Sequence, residues 1–163
     1  MVKATDKPGK VIAINYRDLN PEIAKQIFYR QRILSTLFPH NFPHYYASFV
    51  GKDGYGGTVR QEITTDSHNE VKYPFRKVRE ALEQIQLPIR IDTQDPKNFV
   101  VGIDGGEYYL DAPEEVFPNG WNQQKIFEYM DQAKDETGNK IYSLKDRKTV
   151  EISLERIKVL SEA

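Results

Sequence analysis

The residues best placed to do chemistry lie in one run, Asp95-Pro96-Lys97-Asn98-Phe99-Val100-Val101, followed by Asp104-Gly105-Gly106 and Tyr108-Tyr109-Leu110-Asp111. Two short apolar stretches flank a turn rich in Gly and Asp, which is the pattern of a β-hairpin. A hairpin of this length brings the residue before its first strand beside the residue after its second. Asn98 and Asp111 therefore share one end, where an amide oxygen and a carboxylate could hold a hard divalent cation such as Mg²⁺. The plainer reading of the same residues is an Asx-type turn residue and an acidic loop residue. Asp92 and Asp95 lie just upstream as candidate carboxylates, or as solvated loop acids.

Other constellations carry less. The loop Gly51-Lys52-Asp53-Gly54-Tyr55-Gly56-Gly57 lacks the Gly-Lys-Ser/Thr ending of a phosphate-binding loop and reads as a hairpin turn. His40 and His44 sit in a proline-broken loop, where an i, i+4 spacing no longer puts two rings on one helical face, and His68 is remote in sequence. The clusters Arg76-Lys77-Arg79 and Arg17/Lys25/Arg30/Arg32 read as solvated faces. With 23 basic and 24 acidic residues and a net charge of -1, nothing in the balance favours nucleic acid.

The chain has 163 residues, enough for one domain with a sizeable core, and its 39% hydrophobic and 29% charged residues are those of a globular protein. With no cysteine, disulfides and thiolate chemistry are excluded. The polar start, Met1 to Lys10, has no signal-peptide core, and no window resembles a membrane span; the expected compartment is the cytoplasm.

The elements that must position the hairpin follow from periodicity. Val11 to Tyr16 reads as a buried strand after a lead-in over 1–10. Asn20 as N-cap, Pro21 in the first turn and Glu22 start a helix, with Ile23, Ile27, Leu34, Leu37 and Phe38 inward, and Pro39 stops it. Tyr45–Val50 and Thr58–Ile63 form a hairpin. A helix with Phe75, Val78, Leu82 and Ile85 on one face ends at Pro88. After the Asn98–Asp111 hairpin come a helix near 121–133, with Ile126, Phe127 and Met130 inward, and a strand-like piece at Ile141-Tyr142. A last helix is expected from Ser153, with Leu154, Ile157 and Leu160 on one face. Hairpins imply antiparallel pairing, so the expected class is α+β in a single domain spanning 1–163, with 11–63 and 73–163 as its two halves.

This order resembles the centre of the protein-kinase-like fold over roughly residues 11–113. Ile12-Ala13-Ile14-Asn15 looks like the lysine-bearing strand. Arg30-Gln31-Arg32-Ile33-Leu34 and Pro39-His40-Asn41-Phe42-Pro43 are similar to the end of the regulatory helix and the turn after it. Gln61-Glu62-Ile63 falls where the adenine-facing hinge would be, and Asp95 to Asp111 resembles the catalytic-loop Pro-x-Asn, its hairpin and the metal-binding Asp. The resemblance implies Asn98 and Asp111 as Mg²⁺ ligands, backbone contacts to ATP at Gln61–Ile63, and Asp92 as a displaced base. The departures are equally specific. The lysine position reads Asn15, the glutamate position Arg30 and the catalytic Asp position Thr93, while the metal motif reads Asp111-Ala112-Pro113. The span also implies that the glycine-rich phosphate cover and most of the large helical lobe are missing. The expected function is a non-catalytic or weakly nucleotide-binding kinase-like module with a protein partner, and Mg and ATP enter only if the nucleotide site is retained. The alternatives are an active atypical phosphotransferase and an unrelated α+β interaction domain.

Overall fold

The computed structural model describes residues 11–16, 19–65, 76–90, 98–110, 114–115 and 120–162. The expected helix residue Phe75 and the site residues Asp92, Asp95 and Asp111 lie outside them, as does His68.

Strand β1 (Val11–Asn15) leads to helix α1 (Pro21–Leu37), then to the hairpin of β2 (Tyr45–Val50) and β3 (Gly56–Gln61). These strands form one antiparallel sheet in the order β1-β3-β2, so β1 crosses over by way of α1 to lie beside β3. Helix α2 (Arg76–Ile85) precedes the short pair β4 (Ile89–Arg90) and β7 (Glu114–Glu115), between which falls the hairpin β5 (Phe99–Val101) and β6 (Glu107–Tyr109). Helices α3 (Gln123–Gln132) and α4 (Leu144–Glu162) follow. The class is α+β, as the sequence reading expects.

Helix α1 starts where capping chemistry dictates: the Ile23 N–H donates to Asn20 Oδ1 at 2.9 Å, and Pro21 occupies the first turn, where its missing N–H costs nothing. At the other end the Phe38 N–H closes on the Leu34 carbonyl before Pro39. The helix packs on β2 and β3 along one side and on α4 along another. It is consequently buried around much of its circumference, at Ala24, Ile27, Phe28, Gln31, Ile33, Leu34, Ser35 and Leu37. Ile23, expected inward, is instead exposed. The core continues through Phe38 and Phe42 to Phe99 and Tyr109 of the second hairpin, and to Val78, Ile85, Ile126 and Met130. Phe127 is half-buried beneath the Arg147 guanidinium, 4.3 Å from its ring centre.

Three further expectations are corrected. Strand β1 is present but not buried: Val11, Ile12, Ala13 and Asn15 are exposed and Ile14 is half-buried, because among the described residues only β3 flanks it in the sheet. The last helix begins at Leu144, not at Ser153. Its start is a reciprocal cap in which the Asp146 N–H donates to Ser143 Oγ at 3.1 Å and the Ser143 N–H donates to Asp146 Oδ2 at 2.9 Å. Ser153 is an interior residue, with its hydroxyl donating to the Thr149 carbonyl at 2.8 Å. Val150, Leu154 and Ile157 are buried and Leu160 half-buried. Ile141-Tyr142 is not a strand; the chain bends there after a single bridge between Lys134 and Lys140, and the Tyr142 hydroxyl donates to the Leu37 carbonyl. Ser143→Ala is expected to cost about 1 kcal/mol in a urea titration, because it leaves a first-turn N–H without its side-chain acceptor.

Candidate functional site

The β1-β3-β2 sheet has one covered and one open face, and the pleat assigns residues to each. A Cβ on Gly56 would lie 2.5 Å from Ala24 Cβ and 3.0 Å from Pro21 Cα, so Gly56, and with it Thr58 and Arg60, lies under α1. A Cβ on Gly57 would meet the Phe49 ring at 2.3 Å instead, so Gly57, Val59 and Gln61 face the other way. Paired residues share a face, which places Val11, Ala13 and Asn15 of β1 and Ala47 and Phe49 of β2 on that open side. Val11, Ala13, Asn15 and Ala47 are exposed; Phe49, Val59 and Gln61 are half-buried. The result is a shallow aliphatic surface ending in an amide.

That amide is already engaged. Asn15 Nδ2 donates to Asp53 Oδ2 at 3.0 Å, and the other Asp53 oxygen accepts the Tyr55 N–H at 3.0 Å. The loop 51–57 is the hairpin turn expected of it, closed by Gly54 N–H to the Gly51 carbonyl (3.0 Å) and Gly51 N–H to the Tyr55 carbonyl (2.8 Å), with Gly54 at φ 85°. A carboxylate, rather than an ammonium group, thus fronts this end of the sheet. Arg30, on α1, is half-buried and its Nε donates back to the Gln26 carbonyl at 3.4 Å.

At the other end of β3 the hinge-like residues divide. Gln61 is used by the fold: its N–H donates to the His44 carbonyl (2.8 Å), its carbonyl accepts from Arg60 Nη1 (2.8 Å), and its side-chain oxygen accepts the His44 N–H (3.3 Å). Burial first, and then the nearby Arg32 charge, lower the His44 imidazole below its ordinary value, which favours its neutral form. The main chains of Glu62 and Ile63 make no hydrogen bond among the described residues. Beyond them, the Thr64 carbonyl accepts the Ile103 N–H at 3.0 Å and Thr65 bridges to Gly102, so the segment after β3 runs onto the turn of the second hairpin.

That hairpin is pinned at its open end by the Leu110 N–H, which donates to the Asn98 carbonyl at 2.8 Å. Asn98 is half-buried, and its backbone meets the residue immediately before Asp111. At its turn, Gly105 takes φ 84° and the Asp104 carboxylate accepts the Gly106 N–H (3.0 Å) and the Tyr108 hydroxyl. Burial would raise the Asp104 carboxyl, but those two hydrogen bonds and His40, whose Nδ1 lies 3.9 Å away, hold it below its ordinary value. Asp104 is a turn-closing group.

Sequence reasoning missed the clasp that holds this hairpin. The Tyr109 N–H donates to the Asn41 carbonyl at 2.9 Å, Asn41 Nδ2 donates to the Glu107 carbonyl at 3.1 Å, and the His40 carbonyl sits over Gly106. The turn after α1 therefore runs along β6 as if it were a third strand. The available signal was Asn41, a good backbone mimic held between Pro39 and Pro43.

Among the described residues no three His, Asp or Glu side chains converge as a metal site, and no helix is long and apolar enough to cross a membrane. No protein-family model, curated protein or solved structure matches the chain.

Proposed function

We propose that the chain is a kinase-like scaffold without phosphotransfer activity, a protein-binding or regulatory module that binds adenine nucleotide weakly through the open sheet face. Several features support a kinase-like layout: β1 lies beside β3, α1 packs on the β2–β3 hairpin, and the turn after α1 holds the second hairpin. The aliphatic patch of Ala13 and Val59, with main-chain groups at Glu62 and Ile63 that are unpaired among the described residues, suits a flat heteroaromatic base. The phosphate half does not fit. The observation that carries the non-catalytic reading is the Asn15–Asp53 hydrogen bond, which sets a carboxylate where phosphates would need a cation.

The test is binding and turnover measured together. A fluorescent ATP analogue should bind saturably in the high micromolar to millimolar range, with no tightening by Mg²⁺ and no phosphate released or transferred. Val59→Trp should abolish that binding by filling the patch. Mg²⁺-dependent transfer of the γ-phosphate would overturn the non-catalytic reading, and the absence of saturable binding would overturn the nucleotide one. The melting temperature, raised only by a ligand that prefers the folded state, is an independent readout.

A further inference from the structure

Among the described residues strand β1 is an edge of its sheet, and its own five residues carry none of the devices that usually guard an edge. Val-Ile-Ala-Ile-Asn has no charge, no proline and no bulge. The opposite edge, β2, is irregular between Tyr45 and Ala47. Val11 is 52% and Ile12 36% exposed. The ladder also fixes which backbone groups look outward. The Tyr16 N–H donates to the Gly56 carbonyl at 2.9 Å, so by alternation Ile14 and Ile12 turn their main-chain groups toward β3. Those of Val11, Ala13 and Asn15 point away from the sheet, unpaired among the described residues.

We infer that β1 pairs with β1 of a second copy of this chain, antiparallel and two-fold symmetric about Ala13. Only a register centred on Ala13 engages all the outward groups, with Ala13 opposite Ala13 and Val11 opposite Asn15 of the other copy. The two three-stranded sheets then join into one of six strands. The same register places Ile12 opposite Ile14 across the axis, on the face where α1 packs over β2 and β3. Four isoleucines meet there, and the exposed Ile12 is covered. The strand itself bears no charge, and a second copy brings its own Ile14 to cover Ile12. An isologous contact of this kind closes on itself and stops at the dimer. Five residues a side make a small interface, so the dimer is a weak one that forms at high protein concentration.

Because the chain contains no cysteine, single cysteines report the register directly. Ala13→Cys places two thiols across the axis, with Cα atoms about 5.5 Å apart in a hydrogen-bonded antiparallel pair. A short bis-maleimide should link them in high yield. Val11→Cys places its two copies four residues apart along the strand, about 13 Å, and should link poorly. Sedimentation should show a concentration-dependent dimer that Ala13→Pro weakens by at least about tenfold. Its melting temperature should hold, since the lost N–H points off the edge. A monomer at every concentration, or equal linking at positions 11 and 13, would overturn the inference. A marked fall in melting temperature for Ala13→Pro would do the same, by showing that another part of the same chain covers the edge.

Discussion

Replacing Phe42 with alanine is expected to remove about 3–5 kcal/mol of stability, a fifth or more of the roughly 5–15 kcal/mol that a domain has. Phe42 is fully buried, and it stands where three parts of the protein meet. Its ring lies 6.2 Å from that of Phe38 at the end of α1 and 6.3 Å, edge-on, from that of Tyr109 in β6. Tyr109 in turn packs edge-on against Phe99 at 5.1 Å. Truncation leaves a void bounded by rings that are each held by a second neighbour, so little collapse can relieve it. Equilibrium unfolding in urea, followed by tyrosine fluorescence and far-UV circular dichroism together, gives the number. A loss below about 1 kcal/mol would mean that the α1 turn and the second hairpin are not packed as one core.

Gly106→Ala is the second large effect, expected at about 1–3 kcal/mol or more. A Cβ there would sit 2.5 Å from the His40 carbonyl oxygen, 3.1 Å from Tyr108 Cε2 and 3.2 Å from Asp104 Oδ1. Two of these are side-chain atoms that could give way. The nearest is main chain, fixed by the neighbouring Asn41 hydrogen bonds to β6. Relief must come from lifting the hairpin off the turn after α1, which loosens the Asn98 end as well. The control is Gly105→Asn: nothing lies within 4 Å of that position, and asparagine tolerates its φ of 84°. Hydrogen exchange at the Tyr109 amide should accelerate strongly in the first variant and little in the second. Equal effects would remove the clasp as the reason for glycine at 106.

What could be read from the residues beforehand follows the range of the forces involved. The start of α1 was legible because Asn20, Pro21 and Pro39 act within one turn of themselves. Both hairpins were legible because glycine-rich turns flanked by strand formers act locally. The start of α4 was not. Lys145 to Ile152 offers charges and β-branched residues rather than an apolar period, and the one available cue was the Ser143-x-x-Asp146 cap. The two-residue pair β4–β7 is too short to leave a pattern. Within the candidate site, Asn98 was singled out by the kinase-like motif and the hairpin spacing; its carbonyl accepts the Leu110 N–H, while Asp111 lies outside the described residues. The division of labour between Gln61 and Glu62–Ile63 was hidden, because it depends on His44, 17 residues away in the chain, meeting Gln61 across the sheet. The clasp at Asn41 is likewise a contact over 66 residues.

The two-sided burial of α1 has a last consequence. In a fold that regulates itself by swinging this helix, one side of the helix must be free to part from its neighbours. Here the sheet holds one side and α4 another, with Ile33, Leu34 and Leu37 in the same continuous core as Val150, Leu154 and Ile157. Moving the helix would mean tearing that core, so α1 is a keel rather than a lever.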